Sequence, residues 1–174
     1  MKKNILFYPS HSPKQFIEIA RQCVAENPEI NPIFFLLDSS ETSAEFDYIS
    51  YEQVVNHCNL DDGDFDDSIY GINLNEAVLA DRLHKKNIDV KPLLQKFRRG
   101  FRQFLIEKDI DRIFSYAMSD SIGYVAFMTS KNMQIPFFYL CSARVEDYFY
   151  LTSRLNGSAE NADMYDLKSP FINF

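Results

Sequence analysis

Short apolar runs alternate with helix-length segments along most of this chain, and this rhythm limits the fold more than any other feature. The runs are residues 4–8, 33–37, 112–117 and 136–141. A short apolar run bounded by turn residues is typical of a strand that is buried on both faces. Strands separated by helix-length segments pair in parallel through right-handed crossovers. We therefore predict a three-layer Rossmann-like α/β domain with helices flanking a parallel sheet of four to five strands, the first of them central.

The segments between these runs carry the helical pattern. Periodic apolar residues predict helices over residues 14–26, 74–86 and 92–108. Residues 46–49 are a candidate for a further short strand, but a helix running through Val55 also fits the pattern. The sequence leaves these two alternatives open.

The predicted helix 92–108 has an apolar stripe and a group of arginines beside it. The residues of the stripe are Leu93, Phe97, Phe101, Phe104 and Leu105. The residues off the stripe include Arg98, Arg99 and Arg102. We expect these arginines to form a solvated basic face. The alternative is contact with an anionic membrane surface or a lipid-linked phosphate.

A chain of 174 residues is long enough for one domain with a substantial core. We assign residues 1–155 to this Rossmann-like domain. Residues 156–174 open on a polar stretch and are expected to form a linker or tail that leads to an absent C-terminal domain.

Charge and composition exclude several classes of function. The net charge of −7 argues against a nucleic-acid partner, which requires a basic face. The three cysteines form no CxxC pair or Cys/His cluster, so neither a zinc site nor a disulfide framework is expected. In the acidic run 61–67 the ligand spacing of a calcium loop fails. No apolar segment has the length of a signal core or a membrane span, so we expect a cytoplasmic location.

The phosphate-binding motifs common in open α/β domains are absent from the sequence. There is no GxGxxG after the first run and no GxxxxGK[ST]. The nucleophile elbow G-x-S-x-G is also absent. We therefore expect no cofactor and no metal. If a sugar nucleotide is used, a further domain has to bind it.

Three loops follow predicted strands and carry polar side chains. In parallel α/β sheets, ligands bind beyond the carboxyl ends of the strands. The candidate site residues in these loops are Ser10, His11, Ser119, Asp120, Ser142 and Arg144. His11 titrates near neutrality and is the candidate base. Arg144 is a candidate clamp for a carboxylate or phosphate.

Several of these residues also have a structural alternative. Ser10, like Ser12 and Ser121, is an ordinary cap or turn residue, and Asp120 fits the N-cap of the helix that begins at Ser121. His11 fits a solvated loop residue, and Arg144 fits a surface ion pair.

Two stretches of the chain resemble a known family. They are Asn4-Ile5-Leu6-Phe7-Tyr8-Pro9-Ser10-His11 and the segment from Asp111-Arg112-Ile113-Phe114 through Ile135-Pro136-Phe137-Phe138-Tyr139-Leu140 to Ser142-Ala143-Arg144. Together with the helical pair containing Asp81-Arg82, they resemble bacterial capsular and surface polysaccharide biosynthesis proteins with GT-B-type glycosyltransferase architecture. The resemblance covers about residues 4 to 150.

This resemblance implies the N-terminal, acceptor-side half of a two-domain transferase. The partner would be an acceptor glycan or a lipid-linked sugar, and the sugar nucleotide would be bound by the missing domain. His11 would then act as the base, while Ser10, Ser119, Asp120, Ser142 and Arg144 would orient the acceptor. We expect the isolated chain to lack transferase activity. The alternative is a non-catalytic binding or assembly module whose aromatic segment 148–151 docks a partner or a second copy of the chain.

Overall fold

A computed structural model describes residues 2–9, 13–37, 45–56, 91–116, 120–142 and 149–153. Within these ranges the strands are β1 Lys3–Tyr8, β2 Ile30–Leu36, β3 Asp47–Ser50, β4 Ile110–Tyr116, β5 Phe137–Ser142 and β6 Phe149–Thr152. The helices are α1 Pro13–Glu26, α2 Tyr51–Asn56, α3 Lys91–Glu107 and α4 Ser121–Asn132. The predicted helix 74–86, the acidic run 61–67 and the tail 156–174 lie outside the described residues.

The strands form one sheet in the order β3-β2-β1-β4-β5-β6, with β1 inside it as predicted. The first five strands are parallel, and β6 pairs with β5 in the antiparallel direction. This arrangement confirms the Rossmann-like α/β fold. The sheet has one strand more than the four to five expected. An antiparallel neighbour needs no crossover helix, so β6 does not continue the strand–helix rhythm that predicted the others.

The region around residue 50 contains both of the elements that the sequence left open. Strand β3 ends at Ser50, and α2 begins at the next residue. The backbone N–H of Ser50 donates to Gln53 Oε1 at 2.8 Å, and the backbone N–H of Gln53 donates to Ser50 Oγ at 3.2 Å. This reciprocal pair is a capping box, which starts a helix and ends the strand before it.

The sheet separates two apolar layers. Helix α1 packs on one face through Phe16 and Ala20. Helices α2, α3 and α4 pack on the other face. On the α1 face a row of stacked phenyl rings crosses four strands, with centroids 5.4 to 5.8 Å apart. Its members are Phe34, Phe7, Phe114 and Phe138.

Helix α3 confirms the predicted segment and four of the five residues of its predicted apolar stripe, and it also buries residues outside that stripe. Leu93 is 50% exposed, whereas Leu94 is buried. Arg98 is only 5% exposed, so the prediction that it belongs to a solvated basic face is wrong. Arg98 lies one helical turn from both Leu94 and Phe101, and α3 is covered by α2 and α4 as well as by the sheet. The buried arc is therefore wider than a single stripe. Of the other two arginines, Arg102 remains exposed.

Candidate functional site

The candidate site is the carboxyl edge of the sheet where the strand order reverses. From β1 the chain passes through α1 to β2 on one side, while β4 lies on the other side. Helix α1 covers one face of the sheet, and α4, which connects β4 to β5, covers the opposite face. The two connections therefore leave toward opposite faces of the sheet, and such a switch point is where open α/β domains bind their ligands.

Asp120 begins helix α4 at this edge. Its backbone is extended, with φ −141° and ψ 163°, and its Oδ1 accepts a hydrogen bond from the backbone N–H of Gly123 at 2.6 Å. This geometry is that of an N-cap, so the structural alternative for Asp120 is confirmed. The cap places a carboxylate at the switch point, where a ligand would also meet it.

Tyr8, the last residue of β1, reaches the same carboxylate. Its hydroxyl donates to Asp120 Oδ1 at 3.3 Å. The Tyr8 side chain is 1% exposed, so this contact forms beneath the edge rather than at its surface. The bond joins the end of β1 to the start of α4 and fixes where the carboxylate lies.

Tyr8 belongs to a row of buried hydroxyl groups that crosses the sheet. The register pairs Tyr8 with Ser115 of β4, Ser115 with Tyr139 of β5, and Tyr139 with Thr152 of β6. Paired residues on neighbouring strands point to the same face, which here is the face covered by α3 and α4. All four side chains are at most 2% exposed. An apolar sheet face therefore contains a polar row directly below the candidate site.

The two phenols of this row are protonated at neutral pH. Burial raises the pKa of Tyr8 well above its usual value, and the nearby Asp120 carboxylate raises it further. Burial also raises the pKa of Tyr139, with a smaller contribution from Cys141. Both hydroxyls consequently carry a proton, which Tyr8 donates to Asp120, whereas the Tyr139 hydroxyl has no hydrogen-bond partner within the described residues.

Two of the six predicted site residues fall within the described ranges. Asp120 lies at the switch point as the cap of α4. Ser142 is the last residue of β5 and pairs with Phe149 of β6. The remaining four, Ser10, His11, Ser119 and Arg144, lie outside the described residues.

The sequence analysis missed Tyr8, Ser115 and Tyr139. All three lie inside apolar runs, where tyrosine is counted as core and a single serine as incidental. The available signal was the hydroxyl group itself, because a polar tip in a strand buried on both faces needs a partner.

The sheet order and this edge define a Rossmann-like α/β domain. No protein-family model matches the sequence, and no curated protein matches it. Across the described ranges, no helix is long and apolar enough to cross a membrane. The same part of the chain contains no group of three His, Cys, Asp or Glu side chains arranged to hold a metal ion.

Proposed function

We propose that this chain is the acceptor-side domain of a glycosyltransferase-like protein in surface polysaccharide biosynthesis. The observation that carries the proposal is the Tyr8–Asp120 pair at the switch point, with a 3.3 Å hydrogen bond. A carboxylate and phenolic hydroxyls are groups that hold the hydroxyls of a sugar, by accepting and donating hydrogen bonds respectively. The resemblance to capsular polysaccharide proteins supports the same class of ligand.

The choice of the acceptor side rests on what the sequence lacks. None of its five glycines belongs to a diphosphate-binding motif. At the switch point, the α4 N-terminus is capped by Asp120 and thus carries a negative charge where a diphosphate would otherwise bind. In this proposal a further domain binds the sugar nucleotide, His11 removes the proton from the acceptor hydroxyl, and Arg144 helps to orient the acceptor.

A thermal-shift assay on the 174-residue chain tests the proposal. The panel contains neutral oligosaccharides, a lipid-linked sugar and sugar nucleotides. A ligand at ten times its Kd stabilises the folded state by about 1.4 kcal/mol, which corresponds to a Tm increase of roughly 3–6 °C. We expect this increase with a glycan or a lipid-linked sugar and none with nucleotides. Stabilisation by nucleotides would contradict the acceptor-side assignment.

The role of His11 is tested in a full-length transferase that contains both domains. We expect His11→Ala to leave the Tm unchanged and to reduce turnover by about 100-fold or more, because a general base contributes roughly that factor. Unchanged turnover would show that His11 is not the base. The proposal that the chain binds an acceptor glycan would then depend on the thermal-shift assay alone.

The alternative function is a binding or assembly module without chemistry. Most of the aromatic segment proposed for docking, residues 149–151, forms part of β6 and pairs with β5. Its backbone is thus already used on one side in the sheet. A module of this kind would show no glycan-dependent Tm increase, so the same panel separates the two functions.

A further inference from the structure

The N-terminus of α4 differs from a simple anion site. A helix N-terminus attracts anions because its first N–H groups are free and its dipole is positive. In the 12-residue helix α4, the Asp120 carboxylate accepts the Gly123 N–H at 2.6 Å. A fixed negative charge therefore lies where a phosphate would bind.

The second observation is the hydroxyl of Tyr139. The side chain is 1% exposed, and its oxygen has no hydrogen-bond partner within the described part of the chain. Buried polar groups are nearly always paired, because an unpaired donor loses its bond to water without replacement. Its ring packs against Phe127 of α4, so the group lies beneath that helix.

Tyr139 lies on the same face of the sheet as Tyr8, which holds the Asp120 carboxylate. The two tyrosines lie on one face of the sheet, and Ser115 is the only residue between them in the row. Neighbouring strands are about 4.8 Å apart, so the two tyrosines lie about two strand spacings from each other. The Tyr139 phenol also makes a small contribution to the raised pKa of Tyr8.

We propose that this corner is a subsite for one uncharged hydroxyl group of a ligand, in which Tyr139 donates the hydrogen bond and Asp120 excludes anions. Tyr8 acts as a positioning residue, since its hydroxyl holds the Asp120 carboxylate. The inference rests on the proposed function and narrows its ligand to a neutral sugar hydroxyl. The subsite selects against a phosphorylated or carboxylated group at the same position.

The first test measures binding of neutral trisaccharides to the 174-residue chain by calorimetry. We expect Tyr139→Phe to weaken binding by about tenfold, the equivalent of one hydrogen bond. Because the hydroxyl has no partner in the free protein, its removal should leave the Tm unchanged or raise it. Tyr51→Phe is the matched control, because Tyr51 is a half-buried tyrosine on the same face that stacks on Phe97, away from the site. It should change neither quantity.

The second test uses inorganic phosphate and needs no glycan. Asp120→Asn retains a capping oxygen and removes the charge, so we expect phosphate affinity to rise by at least about tenfold over the wild type. Equal phosphate affinity in the two proteins would overturn the exclusion of anions. A lower Tm in Tyr139→Phe would show that its hydroxyl is already paired and would overturn the donor role.

The outcomes separate this inference from the proposed function. If neither a trisaccharide nor the lipid-linked sugar binds the wild-type chain, the proposed function fails. If trisaccharides bind and Tyr139→Phe does not weaken them, the proposed function stands and the subsite is wrong.

Discussion

Helices α2 and α3 approach each other very closely at Gly100. We therefore expect a single added methyl group at this position to change the free energy of unfolding strongly. A Cβ atom added to Gly100 would lie 1.9 Å from the carbonyl oxygen of Val54 and 2.8 Å from its carbonyl carbon. Both are backbone atoms, so no side-chain rotation relieves the overlap. In an ordinary helix interior, alanine is more stable than glycine by about 1 kcal/mol. Gly100→Ala should therefore destabilise the protein, although alanine normally stabilises a helix relative to glycine.

The size of the effect follows from what has to move. The Val54 oxygen would have to shift from 1.9 Å to about 3.4 Å from the new carbon. Overpacking of a dense core costs about 1–3 kcal/mol. Displacing α2 also partly exposes Val54 and Val55, which are buried, and a fully buried valine contributes about 1.5–3 kcal/mol. After the propensity gain of alanine is subtracted, we expect Gly100→Ala to lower the free energy of unfolding by about 2–4 kcal/mol.

Urea denaturation followed by circular dichroism measures this difference. The matched controls are Arg102→Gly and Arg102→Ala, at an exposed position of the same helix, which give the alanine–glycine difference without a clash. If Gly100→Ala is more stable than the wild type by that same increment, the close approach of α2 is refuted. Val54→Ala should not rescue Gly100→Ala, because the nearest atoms belong to the backbone.

Two further predictions concern a turn and the buried phenols. Gln134 lies two residues beyond the end of α4 and has φ 58°. Gln134→Gly should therefore raise the free energy of unfolding by about 0.5 kcal/mol, and a loss on urea titration would contradict this. Stability should fall above about pH 10, because phenols ionise in the unfolded chain while Tyr8 and Tyr139, whose folded-state pKa is raised, retain their protons. Each retained proton lowers the free energy of unfolding by about 1.4 kcal/mol per pH unit, so the double variant Tyr8→Phe/Tyr139→Phe should show a flatter alkaline slope. An unchanged slope would mean that the pKa of these phenols is the same in the folded and the unfolded chain.

The inner position of β1 and the parallel direction of β1, β2, β4 and β5 could be predicted because helix-length segments separate these strands. The predictions failed for two features that the spacing of residues along the chain does not determine. Strand β6 returns antiparallel after a short connection, and its four residues are too few to show a pattern. Arg98 lies on the buried side of α3 because two other helices cover that side, which residue spacing along one helix cannot reveal.

The sequence could predict that the candidate site lies at the carboxyl edge of the sheet, but not which side chains meet there. Asp120 was identified because it follows a strand and precedes a helix. Its partner Tyr8 lies 112 residues away, and only the register of β1 against β4 brings them together. Tyr139 was hidden in the same way, since the sheet register alone relates it to Tyr8.

The resemblance to polysaccharide proteins rests partly on residues that the fold itself requires. The Asp111 carboxylate accepts the backbone N–H of Asn4 at 2.8 Å, where β4 carries one extra residue opposite β1. The Asn4 side chain donates to the carbonyl of Lys108 and accepts from Asn31. These bonds lie at the amino edge of the sheet, opposite the candidate site. Because these contacts hold strands and turns of the sheet together, Asn4 and Asp111 indicate the fold rather than the ligand. The glycosyltransferase proposal therefore depends on the carboxyl edge, where Asp120 caps α4 and holds Tyr8, and where the buried Tyr139 hydroxyl has no hydrogen-bond partner within the described residues.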